Sequence, residues 1–185
     1  MRHEHLKKLI LAALFLALGL VLPFFTGQIK EIGNMLLPMH LPVLLCGLIC
    51  GWQYGLTVGL VTPLLRSLCF GMPVLYPMAI SMAFELATYG WIIGWMFGKA
   101  KWQCIRSLYI SLLTAMVGGR VVWGVAQCLL LGLGADGFTL NMFWAGAFLN
   151  AIPGIVLQLI LIPAIMLLLH KTHLMPMHRK GKAHE

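Results

Sequence analysis

The chain has 185 residues, 61% hydrophobic and only 10% charged, with a formal net charge of +8. A soluble domain averages about 45–50% apolar and about 25% charged residues, and a globule this small cannot hide so much apolar surface from water. That excludes a soluble enzyme, a nucleic-acid-binding domain, a disordered chain and a secreted disulfide scaffold, and leaves an all-α polytopic membrane protein.

The start, MRHEHLKK followed by an apolar run from Leu9 to Phe25, imitates a signal peptide, but no A-x-A cleavage site follows it. At about 17 residues the run reaches the lower limit for a span, so a retained helix 1 is expected from Lys7 to Phe25. Within it Ala13 and Ala17 lie four apart and put a smooth strip on one face, which Ala12 and Gly19 widen. Such strips let another helix approach closely. A polar segment from Thr26 to Leu37 carries Gln28, Lys30, Glu31 and Asn34. Helix 2 is expected from Pro38 to Trp52 and helix 3 from Tyr54 to Phe70, joined by the turn Gly51 to Gly55 and kinked at Pro42 and Pro63. Helix 4 follows from Leu75 to Gly98, helix 5 from Ile105 to Leu133 and helix 6 from Asn141 to His170. Residues 1–170 thus form a six-helix membrane domain and residues 171–185 a basic tail.

Six crossings place Arg2, Lys7, Lys8, Lys99, Lys101, Arg106, Lys171, Arg179, Lys180 and Lys182 on one side. The other side holds only Lys30 and Arg66, with Arg120 inside helix 5. The positive-inside rule therefore puts both termini in the cytoplasm. The five cysteines (Cys46, Cys50, Cys69, Cys104, Cys128) include no C-x-x-C and read as small buried hydrophobes.

Arg120 sits beside Gly118 and Gly119, about 22 Å into helix 5 at 1.5 Å per residue. A charge at that depth needs a partner or a cavity. Glu85, at similar depth on helix 4, is the obvious partner; a substrate carboxylate or phosphate held by two parallel hydrogen bonds is the alternative. Tyr89 shares a helix face with Glu85, one turn away. On helix 6, Asn150 and Gln158 share a face, with Trp144 and Phe148 near its outer end. His40, in Met35 to His40, reads as a polar cap over an outer cavity rather than a metal ligand, since two thioethers and one imidazole are a thin set. There is no GxSxG, HExxH, Walker A or acidic metal cluster, so no catalytic residues are assigned. Work against a gradient would have to be energised by a partner or an ion.

In size, helix count and topology the chain resembles the substrate-binding (S) components of energy-coupling factor (ECF) transporters. The resemblance rests on Ala13-x-x-x-Ala17, on the polar outer loop Gly27 to Asn34, and on three stretches. These are Leu36-Leu-Pro-Met-His-Leu-Pro-Val-Leu-Leu-Cys-Gly47, Thr62-Pro-Leu-Leu-Arg66 and Ala83-Phe-Glu-Leu-Ala-Thr-Tyr-Gly90, which resemble the vitamin-specific branch. The resemblance covers about Lys7 to His170. It implies a cell-membrane subunit that binds a vitamin or related micronutrient near the outer face. It also implies docking through Ala13 and Ala17 on a transmembrane coupling subunit, and delivery inward by toppling. The resemblance implies further that the chain itself binds no cofactor and that two cytoplasmic partner ATPases hydrolyse ATP. The family's pocket regions, carried over, offer Lys30, Asn34, His40, Arg66, Tyr76, Glu85, Tyr89, Arg120 and Asn150. Arg120, Arg66 and Lys30 favour an anion such as pantothenate; Glu85 favours a pyridoxine- or thiamine-precursor-like molecule instead. The resemblance also disfavours nickel and cobalt, since family members for those metals carry His directly after the initiator Met and here Arg2 follows Met1. The alternative is a non-transporting structural membrane protein of MreD-like type.

Overall fold

The computed structural model describes residues 2–26, 37–100, 104–132 and 151–172. Its regular elements are all helical. Helix α1 spans Arg2–Val21 and continues into a 3-10 segment, Leu22–Thr26. Helix α2 is His40–Cys50, α3 is Trp52–Phe70, α4 is Ile80–Lys99, α5 is Ile105–Leu131 and α6 is Ile152–Lys171. The six expected helices are thus present, with shifted ends. Gly51 alone turns α2 into α3: its φ of 101° is one that residues with a Cβ rarely adopt, so the expected five-residue turn is not needed. The first turn expected of helix 4 is instead a wide turn, Leu75–Ala79, in which Tyr76 is extended. Residues 141–150 of the expected helix 6 lie outside the described residues, as do Lys30, Asn34 and Asn150.

Three segments, Glu4–Phe25, Ile105–Leu131 and Ile152–Lys171, are long and apolar enough to cross a membrane by themselves, and α2 is a shorter apolar helix. Helices α3 and α4 are 19 and 20 residues long. Helix α4 is the central element, and nine of its residues, from Ser81 to Phe97, are buried in protein. Phe84, Trp91 and Trp95 form its exposed stripe. A helix enclosed by neighbours needs small residues for close approach, and these score low on hydropathy; only a lipid-facing surface must be apolar.

Close approach is extreme where α2, α3 and α4 meet. A Cβ added at Gly90 would lie 2.2 Å from the Gly55 carbonyl oxygen, one at Gly59 would lie 2.3 Å from the Leu86 carbonyl oxygen, and one at Gly94 would lie 2.6 Å from the Trp52 nitrogen. Gly47 of α2 meets the Gly90 carbonyl in the same way, at 2.7 Å. The backbones of three helices are therefore in direct contact. Gly55 and Gly59, and Gly90 and Gly94, are two G-x-x-x-G pairs, the spacing that lines up glycines on one helix face.

Inward from this seam the core is aliphatic: Val43, Leu44, Leu86, Ile93, Leu108, Leu112 and Ile162 are all fully enclosed. Helix α1 packs on α2 and α3 through Ala12, Phe15 and Gly19, where a Gly19 Cβ would sit 2.7 Å from Thr62 Cγ2. Ala13 and Ala17 face outward, among Leu6, Ile10 and Leu14. The expected strip is therefore corrected. At about 100° per residue, Ala12 and Gly19 fall on the buried face and cannot widen the one that carries Ala13 and Ala17. The cysteines also divide. All five are free, Cys46 and Cys50 are buried as expected, and Cys69 and Cys104 are exposed.

The glycine seam makes a sharp prediction. Gly90→Ala or Gly59→Ala drives a methyl group into backbone that cannot swing aside, and should destabilise the protein by about 3 kcal/mol or prevent folding. Gly98→Ala on the same helix meets nothing within 4 Å and should change stability by less than about 1 kcal/mol. Thermal unfolding in detergent compares them; equal effects would show that backbone contact is not what the glycines provide.

Candidate functional site

Buried polar side chains gather at the end of the bundle where α2 and α4 begin and α5 ends. The α4 sequence places Ser81, Glu85 and Tyr89 four residues apart, on one face and one turn above another. That face lies opposite the glycines, because Glu85 and Gly90 are five residues, about 140°, apart. Helix α5 contributes Arg120 and, seven residues or two turns further on, Gln127. His40 enters from the first residue of α2.

These groups converge on one carboxylate. Arg120 Nη1 lies 3.1 Å from Glu85 Oε1, His40 Nε2 lies 3.4 Å from the same oxygen, and the Tyr89 hydroxyl donates to it at 3.1 Å. The His40 and Tyr89 rings pack edge to face at 5.2 Å, and a Cβ at Gly119 would strike the Tyr89 ring at 2.7 Å. Glu85 and His40 are 1% exposed, Tyr89 2% and Arg120 5%. Burying two such charges costs several kcal/mol each, offset only by close pairing and further hydrogen bonds. The arrangement supplies the pairing and leaves the hydrogen bonds incomplete. Among the described residues Arg120 Nε and Nη2 and His40 Nδ1 are buried without a hydrogen-bond partner, and His40 Nε2 has only its 3.4 Å approach to Glu85.

A second polar layer lies above the first. Gln127 Nε2 donates to Ser81 Oγ at 3.0 Å and approaches Met78 Sδ at 3.8 Å, and Ser81 Oγ donates to the Met78 carbonyl at 2.9 Å. Among the described residues Gln127 Oε1 stays open, as does Gln158 Nε2 on α6. The sequence reading did not single out Ser81 or Gln127. Their signal was available as helical spacing from Glu85 and Arg120.

Two other expected site residues serve as clasps between helix ends. Arg66 donates from Nη1 to the Leu20 carbonyl at 2.5 Å, in the last turn of α1 where carbonyls lack intrahelical partners. Its guanidinium also lies over the rings of Phe24 and Phe70, 5.0 and 5.6 Å from their centroids. Tyr76, which is exposed, donates its hydroxyl to the Leu130 carbonyl in the last turn of α5. Of the nine residues expected at the site, the structure brings together His40, Glu85, Tyr89 and Arg120. Among the described residues no three His, Cys, Asp or Glu side chains are grouped as a metal would require. An open groove of about 460 Å³ lies at the far end of α4 and α5, lined by Met96, Cys104, Arg106 and Ser107, remote from this chemistry.

The family model for the ECF transporter substrate-specific component matches residues 7–166. The match covers most of the chain, and the chain belongs to this family of membrane transporter subunits, which are not enzymes. No curated protein and no solved structure matches the chain.

The pair at the centre of the layer can be tested by deletion from each side. Glu85→Gln or Arg120→Met alone strands a buried charge and should cost about 3–5 kcal/mol. The double variant Glu85→Gln/Arg120→Met should cost clearly less than the sum of the two. Denaturation of the detergent-solubilised variants measures all three; strict additivity would mean that the two side chains do not stabilise each other.

Proposed function

We propose that this S component spans the membrane six times with both termini in the cytoplasm. It captures a vitamin-sized micronutrient at the polar layer of His40, Glu85, Tyr89 and Arg120, near the outer end of the bundle. The solute then moves inward as the subunit topples against a transmembrane coupling subunit driven by two ATPases. The observation that carries this reading is a fully enclosed carboxylate bound from three helices, next to a guanidinium whose remaining donors have no partner among the described residues. A purely structural ion pair is normally saturated with hydrogen bonds, because an unfilled buried donor costs about 1–3 kcal/mol. Donors left open at a single layer are what a ligand would fill.

Helix α1 supports the partner reading. Its Ala12, Phe15 and Gly19 face holds the helix to the bundle, which leaves Ala13 and Ala17 outward with only aliphatic neighbours. Small residues in an apolar face let a partner helix approach to backbone distance. On the cytoplasmic side Lys99 stacks over Trp95, 4.4 Å from the ring centroid, as a cation anchored at a membrane interface would.

Ala13→Leu/Ala17→Leu should abolish uptake in cells while ligand binding by the purified subunit stays intact. Unchanged uptake would remove this face from docking. Orientation has its own test. An impermeant thiol reagent on intact cells should label an Asn34→Cys variant in a Cys69→Ser background, and should reach Cys104 only after permeabilisation. Labelling of Cys104 in intact cells would reverse the topology.

A further inference from the structure

Resting on the reading that this layer receives the solute, we propose that the solute is uncharged at neutral pH. It meets the protein as a hydrogen-bond acceptor along the Nε–Nη2 edge of Arg120 and as a donor at Gln127 Oε1. The argument starts from charge. Arg120 is already compensated by Glu85 at 3.1 Å. Arg66 is committed to the Leu20 carbonyl and two aromatic rings. Among the described residues the Arg120–Glu85 ion pair joins one positive and one negative charge and sums to zero. Its residues are at most 5% exposed, so a carboxylate or phosphate added there would bury an uncompensated negative charge, which is far costlier than burying a polar group that is hydrogen-bonded. The basic residues that favour an anion in the sequence are, apart from Lys30 outside the described residues, spoken for by the protein itself.

The open atoms then define the shape of the complement. Glu85 occupies Nη1, and the two unpartnered nitrogens of Arg120, Nε and Nη2, form one edge of the planar guanidinium with parallel N–H bonds. Two adjacent acceptors fit that edge: a ring nitrogen beside a carbonyl or hydroxyl oxygen, or the two lone pairs of a carboxamide oxygen. Gln127 is fixed by its bond to Ser81, which leaves its oxygen as an acceptor seeking an N–H or O–H. Ser81 lies one turn beyond Glu85 and Gln127 two turns beyond Arg120, so the two recognition points are about 6–10 Å apart at 1.5 Å per residue. One ring with a polar substituent, or two fused rings, spans that distance. The substrate class is therefore an uncharged heterocycle or cyclic amide with adjacent acceptors at one end and a hydroxyl or amide donor at the other.

The test uses the full-length protein in detergent and a yeast-extract micronutrient mixture split by ion exchange into neutral, anionic and cationic fractions. The neutral fraction should raise the unfolding temperature and add a vitamin-sized mass in native mass spectrometry. A bound mass from the anionic or cationic fraction, at any value between about pH 5.5 and 8 to bracket the ordinary histidine range, would overturn the inference and leave the transport reading standing. Binding from no fraction would overturn both. As a second measurement, Glu85→Gln leaves Arg120 as a lone positive charge. Once the neutral ligand is identified, its carboxylate analogue should gain at least about tenfold in affinity relative to it, a change of about 1.4 kcal/mol. No change in that ratio would mean that Glu85 does not set the charge selectivity.

Discussion

The contact between the backbones of α3 and α4 is the constraint on which the rest of the structure depends. Gly55 and Gly59 on one side and Gly90 and Gly94 on the other leave no room for a single methyl group. In a bilayer, helices gain nothing from hiding apolar surface from lipid, so association rests on close packing. The seam pins α4 along one edge, and the orientation of its opposite edge follows. Ser81, Glu85 and Tyr89 are thereby turned toward α5 and the start of α2, where Arg120, Gln127 and His40 meet them. A change at Gly90 would act on the site although its own close contacts are to Gly55, away from Glu85.

The polar layer illustrates how little freedom a buried charge has. Glu85 has partners from α2, α4 and α5 and almost no solvent. Removing any one partner leaves a carboxylate or guanidinium without full compensation at a depth where water does not make up the difference. Among the described residues the same layer leaves donors and an acceptor unfilled, and each such buried group costs about 1–3 kcal/mol.

Helix α1 shows a division of labour that composition hides. Its small residues do two jobs, separated by about 100° around one axis. Ala12 and Gly19 admit the bundle, and Ala13 and Ala17 remain outside it. Arg66 binds the end of this helix to the end of α3 with one hydrogen bond and two aromatic faces. Its contacts belong to the scaffold, even though its charge and position in the chain resemble those of a ligand-binding residue.

Much of this was legible in the sequence, for a physical reason. Hydropathy and the spacing of glycine and proline report what each segment demands of its solvent, so the helical class and the six helices could be read from the chain alone. The pairing of Glu85 with Arg120 followed from their expected depth, since two opposite charges buried in one layer have few alternatives. Facing and mutual approach could not be read in the same way. The burial of Ala12 and Gly19, the exposure of Cys69 and Cys104, the use of Arg66 and Tyr76 as clasps, and the arrival of Ser81 and Gln127 beside the ion pair depend on which edge of each helix meets which neighbour. That choice was made by the glycine contacts between α2, α3 and α4, an interaction between distant backbones that no single segment contains.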